Sequence, residues 1–171
     1  NPYMHARVEL GMVCGLRPGE VMGLLWSDID WEERTLTIAR QVQRIKGHGL
    51  EFQSVKQGNQ RKIVLTDEQM RILQKHRDLQ DVYRPMFSID EGLLFPNSIG
   101  SKLDDKRDTS LWNKLLTEAG VTHYQRYQMR KTAFSNLYAE LGDIRKLMDY
   151  SGHSQVSTVM KSYVFATEES S

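Results

Sequence analysis

The sequence predicts a mainly α-helical domain with a small three-stranded antiparallel β-sheet, an α+β fold. Apolar residues recur at helical spacing in several stretches, most clearly near both ends of the chain. Between residues 34 and 65 the period changes, and apolar and polar residues alternate as they do in strands. A length of 171 residues with 39% hydrophobic content suits one compact core. We therefore expect residues 1–171 to form a single domain.

Composition excludes several classes of protein. Cys14 is the only cysteine, so the chain cannot form an internal disulfide or a thiolate metal cluster, as is usual in a reducing compartment. No apolar run is as long as a membrane span, and no stretch resembles a signal peptide. We expect a cytoplasmic protein without a membrane partner. Because the chain starts at Asn1 and not at a methionine, we also expect a fragment of a longer protein.

The first two predicted helices meet at an arginine. Residues 3–15 are largely apolar, as in a helix buried on most sides, and Gly15 ends this helix. Arg17 precedes a proline and is therefore kept out of helical geometry, whereas Pro18 suits the first helical position. Arg17 thus lies at a helix entrance, where backbone donors also favour an anion. A surface arginine at a tight corner is the alternative interpretation.

The alternating segment predicts three strands joined by two turns. Leu36, Ile38 and Val42 lie in the first strand, and turns follow at residues 47–49 and 57–59. This is the pattern of an antiparallel meander. Lys56 lies at the mouth of the second hairpin, where a loop could bring its ammonium group into a site, with a solvated lysine as the alternative.

Basic residues are concentrated in and after these strands. Residues 40–77 contain nine Lys or Arg and three Asp or Glu, although the whole chain has a net charge of only +1. This excess predicts a surface that faces phosphates, and a solvated charged face is the alternative.

Two further helices are predicted in the middle of the chain. Thr66 and Gln69 have the spacing of a capping box at the start of a helix over residues 67–80. A stripe of apolar residues over 111–119 predicts the next helix, and Gly120 ends it.

The helix predicted over residues 127–141 carries a cation on its inward face. Phe134 and Leu137 lie on one face, Arg130 falls on the same face, and Tyr127 lies one turn earlier. An unpaired buried charge costs too much free energy to persist. Arg130 is therefore expected to meet an anion.

Two short helices are expected after this one. Gly142 ends the first helix and Gly152 ends the second, Asp143 caps the second and Ser154 caps the third. His153 lies between the second and the third, and Tyr163 lies on the apolar face of the third. Arg130, His153 and Tyr163 are thereby carried by three elements that can converge. Taken singly, a solvated arginine, a helix exit and a core tyrosine are the simpler interpretations.

These pieces, in this order, resemble the catalytic domain of the tyrosine recombinases, the phage integrase family. The resemblance is carried by CGLRPGEVMGLLWSDID, Lys56 in a β-hairpin, MRKTAFSNL, SGHS, and Tyr163 ten residues past His153. It covers nearly the whole chain, from about Tyr3 to Tyr163. The interval from Arg130 to His153 is similar to that family's spacing between its second arginine and its Gly-His pair.

The resemblance implies a site-specific DNA recombinase that cuts and rejoins strands by transesterification. Tyr163 would attack a backbone phosphate to form a 3′-phosphotyrosine, and Lys56 would protonate the leaving oxygen. His153 would hydrogen-bond the phosphate or help to deprotonate the tyrosine. Two arginines would bind the non-bridging oxygens and an acidic residue would hold the shape of the site; these are Arg17, Arg130 and Glu20. No metal ion, cofactor or ATP is implied.

The resemblance also implies partners. They are double-stranded DNA, other recombinase subunits that form a tetrameric synapse on it, and accessory DNA-bending proteins, in the setting of a mobile genetic element. The N-terminal DNA-clamping domain of the family is expected to lie outside this chain.

The second arginine box departs from the family pattern. Histidine is usual three residues before Arg130, where this chain has Tyr127, and a literal histidine-x-x-arginine occurs one turn earlier at His123 and Arg126. We assign Arg130 to the site because Arg126 would lie 27 residues before His153 instead of 23 and is off the apolar stripe. Tyr127 then takes the histidine's place, and His123 could still reach the site from the preceding loop.

Two other functions remain open. A type IB topoisomerase shares the arginine, lysine, histidine and tyrosine chemistry but relaxes DNA without a partner site, and the GLRPGE and SGHS boxes favour a recombinase over it. The other is a DNA-binding relic of the fold that has lost catalysis, which Tyr127 in place of a histidine favours.

Overall fold

A computed structural model of the chain describes residues 2–55, 60–122 and 124–151. Helices predominate in these ranges, and two 3-10 turns accompany them at Trp26–Asp28 and Arg84–Met86. In chain order the helices and strands are α1 Pro2–Met12, α2 Pro18–Met22, β1 Ile29–Asp30, β2 Thr35–Ile38, β3 Arg40–Ile45, β4 Gly49–Ser54, β5 Arg61–Val64, α3 Asp67–Tyr83, α4 Asp105–Glu118, α5 Arg126–Leu141 and α6 Ile144–Ser151. The predicted fold class is confirmed.

The helix ends follow signals in the sequence. Thr66 and Gln69 form the predicted capping box at the start of α3, where Thr66 Oγ1 accepts from the Gln69 amide at 3.2 Å and Gln69 Oε1 accepts from the Thr66 amide at 2.9 Å. Gly142 follows α5 with a φ of 60°. Asp143 Oδ1 accepts from the Arg145 amide at 2.8 Å at the start of α6. The third of the predicted short helices lies outside the described residues.

The strands pair differently from the predicted meander. The order β1-β2-β5 makes a three-stranded antiparallel sheet, and β3 and β4 make a separate two-stranded ribbon. The predicted first strand divides at Ala39, because its apolar residues serve two different cores. Leu36 and Ile38 in β2 pack in the main core, whereas Val42 in β3 packs against Met22 of α2. The strand after the second turn, β5, therefore pairs with β2 and not with β4.

Helix α1 is central to the packing of the domain and lies against both α3 and α5. Ala6, Leu10 and Cys14 from this part of the chain are buried in the main core with residues of the sheet and of α3. Burial raises the pKa of the Cys14 thiol to about 12, so this thiol stays protonated. Among the helices that the structure describes, none combines the length and the apolarity that crossing a bilayer requires.

A buried ion cluster joins α1, α4 and α5. Arg7 donates to both carboxylate oxygens of Asp108, at 3.1 and 2.7 Å, and the two side chains are only 3% and 4% exposed. Arg126, the first residue of α5, also donates to Asp108 and, at 2.8 Å, to Asp105. Carboxylates and guanidinium groups thus neutralise one another away from water. The cluster holds the start of α5 against α4.

Candidate phosphate-binding site

Arg17 lies where the sequence predicts it, at the entrance of α2. Its backbone is extended, with φ −67° and ψ 148°, and Pro18 begins the helix. The Arg17 amide donates to Glu20 Oε2 and its Nη1 donates to Glu20 Oε1, both at 2.9 Å. The Arg17 side chain remains 29% exposed. The guanidinium is thus oriented by the first turn of α2 while solvent still reaches it.

Glu20 is a buried carboxylate held between two arginines. Besides Arg17, it accepts from Arg61 Nη1 at 3.1 Å and from Arg61 Nη2 at 2.8 Å, with only 1% of its side chain exposed. Burial by itself raises the pKa of Glu20, but the hydrogen bonds and charge of Arg61, together with Arg17, outweigh burial and lower the pKa to about 2. Glu20 is therefore ionised at any pH near neutrality.

Sequence reasoning missed Arg61, which it counted only as part of the basic stretch. The signal was present in the period of β5 and the residue after it, where Arg61, Ile63 and Leu65 are buried and alternate with the exposed Lys62 and Val64. An arginine on the inward face of a strand needs a buried anion. That anion is Glu20.

Arg130 is fully buried in α5, as the apolar stripe predicts. Its Nη1 donates to the carbonyl oxygen of Gly15 at 2.6 Å, and its guanidinium carbon lies 4.5 Å from the centroid of the Phe134 ring. A carbonyl oxygen and a ring face both carry partial negative charge, and both orient a guanidinium group. The Gly15 carbonyl and the Phe134 ring thus contact Arg130 where the sequence predicted an anion. Since Gly15 is two residues before Arg17, the same loop positions both arginines.

Gly15 fits this loop because it has no side chain. Its φ is +63°, and a Cβ atom built on it would lie 2.8 Å from Cζ of Phe134, the ring under Arg130. Only glycine adopts such a backbone at little cost, and only glycine leaves room for the ring.

We expect Gly15→Ala to lower the free energy of unfolding by about 2–4 kcal/mol, because left-handed strain and overpacking add. Gly120→Ala is the matched control, since Gly120 has a φ of +67° with nothing within 4 Å of the added atom. This variant should lose only about 1 kcal/mol of unfolding free energy, measured by urea unfolding. Equal losses of unfolding free energy in the two variants would show that the Phe134 ring moves aside at little cost.

Tyr127 is not buried on the inward face as predicted. It lies in the first turn of α5 with 47% of its surface exposed, because this turn extends past the core that covers Arg130. Its side chain lines a cleft of about 290 Å³ that Pro18 and Trp112 also line. Tyr127 therefore shares a cleft with Pro18, the residue that follows Arg17 in the chain.

Arg126, the arginine of the alternative histidine-x-x-arginine box, has different contacts from Arg130. Arg126 donates to Asp105, Asp108 and Thr109 of α4, so its guanidinium is engaged on the side of α5 that faces α4. This arrangement favours the register in which Arg130 belongs to the site.

The remaining predicted site residues, Lys56, His123, His153 and Tyr163, lie outside the described residues. The described site thus brings together Arg17, Glu20 and Arg130, with Tyr127 at its border. Within the described ranges, no group of three or more His, Cys, Asp and Glu side chains is placed to hold a metal ion.

Ion pairs neutralise part of the basic stretch. Four of its arginines form ion pairs with carboxylates from other parts of the chain or from the same helix, and a fifth lies over two tryptophan rings. The pairs are Arg40–Asp28, Arg44–Asp104, Arg61–Glu20 and Arg71–Glu68, and Arg77 lies over Trp26 and Trp31. A local excess of basic residues in the sequence therefore overstates the charge available to phosphates.

Curated proteins of related sequence share the features of this chain. It is 25% identical over 172 residues to a XerC-like tyrosine recombinase of Caldanaerobacter subterraneus subsp. tengcongensis, covering 90% of this chain and 43% of that protein. It is 28% identical over 174 residues to the integrase of Staphylococcus phage L54a, covering 95% and 48%. The chain thus spans less than half the length of these two relatives.

Solved structures share its fold. The integrase of transposon Tn1549, solved with a circular-intermediate DNA, gives a TM-score of 0.78 at 21% identity and covers 98% of this chain and 58% of that one. The XerA recombinase gives 0.73 at 23% identity, covering 94% and 52%. The sequence model of the phage integrase family matches residues 3–170. This chain, in which Arg130 donates to the carbonyl of Gly15 two residues before Arg17, belongs to the phage integrase family.

Proposed function

We propose that this chain is the catalytic domain of a site-specific DNA recombinase, an integrase that cuts and rejoins DNA through a 3′-phosphotyrosine intermediate. The observation that carries the proposal is the bond from the buried Arg130 to the carbonyl of Gly15, two residues before Arg17, in a member of this family. Relatives named as recombinases and integrases, including one solved with DNA, support DNA as the substrate.

The arginines account for the binding of a phosphodiester. Arg17, Arg61 and Arg130 outnumber the single carboxylate of Glu20, so the described cluster is positively charged. Guanidinium groups donate to non-bridging oxygens in a fixed geometry and stabilise the added negative charge of a five-coordinate phosphorus. Donors oriented before the reaction need no reorganisation during it.

The reacting groups are proposed from the family boxes. The phenolic oxygen of Tyr163 attacks the phosphorus, the bond to the 5′ oxygen breaks, and that oxygen takes a proton from Lys56. His153 donates to the phosphate or accepts the phenolic proton. Because one phosphodiester is exchanged for another, rejoining is the same step in reverse with a new 5′ hydroxyl, and ATP is not consumed.

Tyr127 is proposed to contribute a hydrogen bond. Its exposed hydroxyl can donate to a phosphate oxygen, but a phenol with an ordinary pKa of about 10 is poorly suited to carry protons near neutral pH. His123, in the preceding loop, is the alternative residue for this role.

The test of the function is covalent capture. Full-length protein incubated with a nicked suicide substrate, from which the leaving strand diffuses away, should form a covalent protein–DNA adduct. Joining of two sites in a plasmid assay should accompany it. Relaxation of supercoils without joining would favour a type IB topoisomerase, and failure to trap any adduct would favour a non-catalytic DNA-binding protein.

Lys56→Ala should slow cleavage by about 10²–10⁴-fold while DNA binding changes little, because an alkoxide leaves poorly without a proton donor. A substrate with sulfur at the 5′ leaving position needs no proton and should restore the rate of the variant. The exposed Lys62→Ala is the control, expected to cleave both substrates as the wild type does. If the sulfur substrate is cut no faster by Lys56→Ala, Lys56 is not the acid.

Assembly is proposed to follow the family. Full-length subunits would bind double-stranded DNA, pair two sites in a tetrameric synapse, and use accessory DNA-bending proteins where the site requires them. A mobile genetic element inside a cell is the proposed setting.

A further inference from the structure

We infer that Arg61 is a positioning residue that keeps the guanidinium of Arg17 directed toward the scissile phosphate. The inference rests on the proposed function, because Arg61 would act on DNA only through Arg17. The structure assigns this role through Glu20, which both arginines bind.

The hydrogen bonds of Glu20 are divided between the two arginines. Oε1 accepts from Arg61 Nη1 at 3.1 Å and from Arg17 Nη1 at 2.9 Å, and Oε2 accepts from Arg61 Nη2 at 2.8 Å and from the Arg17 amide at 2.9 Å. Within the part of the chain that the structure describes, Arg17 uses one guanidinium nitrogen for this carboxylate. Its Nε and Nη2 donors are left for a ligand.

Burial sets the two arginines apart. The Arg61 side chain is 5% exposed and donates to Glu20 through both of its Nη groups, whereas Arg17 is 29% exposed and donates to Glu20 through one. Arg61 therefore satisfies the carboxylate from inside the domain, and Arg17 can face outward.

The charges lead to the same conclusion. Glu20 and Arg17 alone would be neutral, and a buried carboxylate with no other cation would draw both Nη groups of Arg17 inward. With Arg61 present, the three groups carry one net positive charge, located mainly on the exposed Arg17. Arg61 thus preserves both the charge and the donors that a phosphate needs.

Arg61 lies at the start of a strand and close in sequence to Lys56, the proposed general acid. It is the first residue of β5, where it pairs with Ile38 of the sheet, and it follows Lys56 by five residues. Its bonds to Glu20 therefore tie the start of β5 to α2, the helix whose N-cap is Arg17.

The experiment uses full-length protein carrying Arg61→Gln, Glu20→Gln, or both substitutions, with single-turnover cleavage of the suicide substrate as the readout. Arg61→Gln should cleave about 10²-fold more slowly per folded molecule, as expected for a displaced reacting group. Adding Glu20→Gln removes the carboxylate that draws Arg17 inward. The double variant should therefore regain about tenfold over Arg61→Gln.

Arg7→Gln is the matched control, because Arg7 is an equally buried arginine with a two-point bond to a carboxylate, Asp108, away from Glu20. It should lower the temperature of unfolding at least as much as Arg61→Gln does. Its cleavage rate, measured well below that temperature, should stay within about twofold of the wild type.

The pH profile separates positioning from structural support. In the wild type, the pKa of Glu20, lowered to about 2, keeps the carboxylate charged throughout the assay range. Without Arg61, only Arg17 opposes the effect of burial, so the pKa of Glu20 is higher than in the wild type, and Glu20 becomes protonated sooner as the pH falls and releases Arg17. The defect of Arg61→Gln relative to wild type should therefore shrink toward acid pH, whereas the Arg7→Gln ratio should stay flat.

Three results would overturn the inference: Arg61→Gln cleaving like the wild type, no recovery in the double variant, or a defect independent of pH. If the wild type forms an adduct and any of these is found, the role of Arg61 fails and the proposed function stands. If the wild type forms no adduct, both fail.

Discussion

Arg130→Ala is expected to reduce strand cleavage by at least about 10²–10³-fold, because a preorganised donor to the developing negative charge is lost. The buried guanidinium is already oriented by Gly15 and Phe134, and alanine leaves no donor in its place. Single-turnover cleavage of the suicide substrate measures the loss. Arg130→Lys keeps the charge without the forked geometry and should fall between alanine and the wild type.

Arg126→Ala is the control on the same helix. It removes hydrogen bonds to Asp105, Asp108 and Thr109, so we expect a less stable protein that still cleaves when assayed below its unfolding temperature. An inactive Arg126→Ala together with an active Arg130→Ala would reverse the register. His123 would then become the histidine of the second box.

Tyr163→Phe is expected to abolish the covalent adduct entirely, since phenylalanine has no oxygen with which to form the phosphotyrosine. Peptide mapping of the wild-type adduct should identify Tyr163, and DNA binding by the variant should remain near normal. An adduct that persists in Tyr163→Phe would show that another tyrosine reacts.

Three of the described tyrosines are poor competitors for this role. Burial raises the pKa of Tyr3, and the hydroxyl of Tyr124 is hydrogen-bonded to Thr132. Tyr138 packs in the small core between α5 and α6. Tyr127 is half-exposed and lines a cleft with Pro18, so Tyr127→Phe is the informative control and should still form the adduct.

Local patterns in the sequence predicted the helices and the placement of Arg17 and Arg130. Pro18 and the capping box at Thr66 act within a few residues, and the burial of Arg130 follows from the helical period of its own segment. Such features are decided by neighbours in the chain. The reactive positions Lys56, His153 and Tyr163 stay predictions.

What the sequence did not predict depends on distant partners. Alternation shows which face of a strand is buried but not which strand lies beside it, so the split at Ala39 and the β2–β5 pairing were missed. The pair between Arg61 and Glu20 spans 41 residues and has no local signature. The apolar stripe of α5 predicted an inward-facing Tyr127, but the core that buries Arg130 ends one turn short of this residue.

The central position of α1 has a consequence for how the protein is made. Arg7 finds Asp108 101 residues later, and the carbonyl of Gly15 finds Arg130 115 residues later. On the ribosome, Ala6, Leu10 and Cys14 therefore stay uncovered until α3 and α5 have emerged. Such distant contacts favour slow folding, and the exposed apolar side chains favour binding by chaperones. The same delay separates Arg17 from Arg130, so the two arginines come together only after α5 has been synthesised.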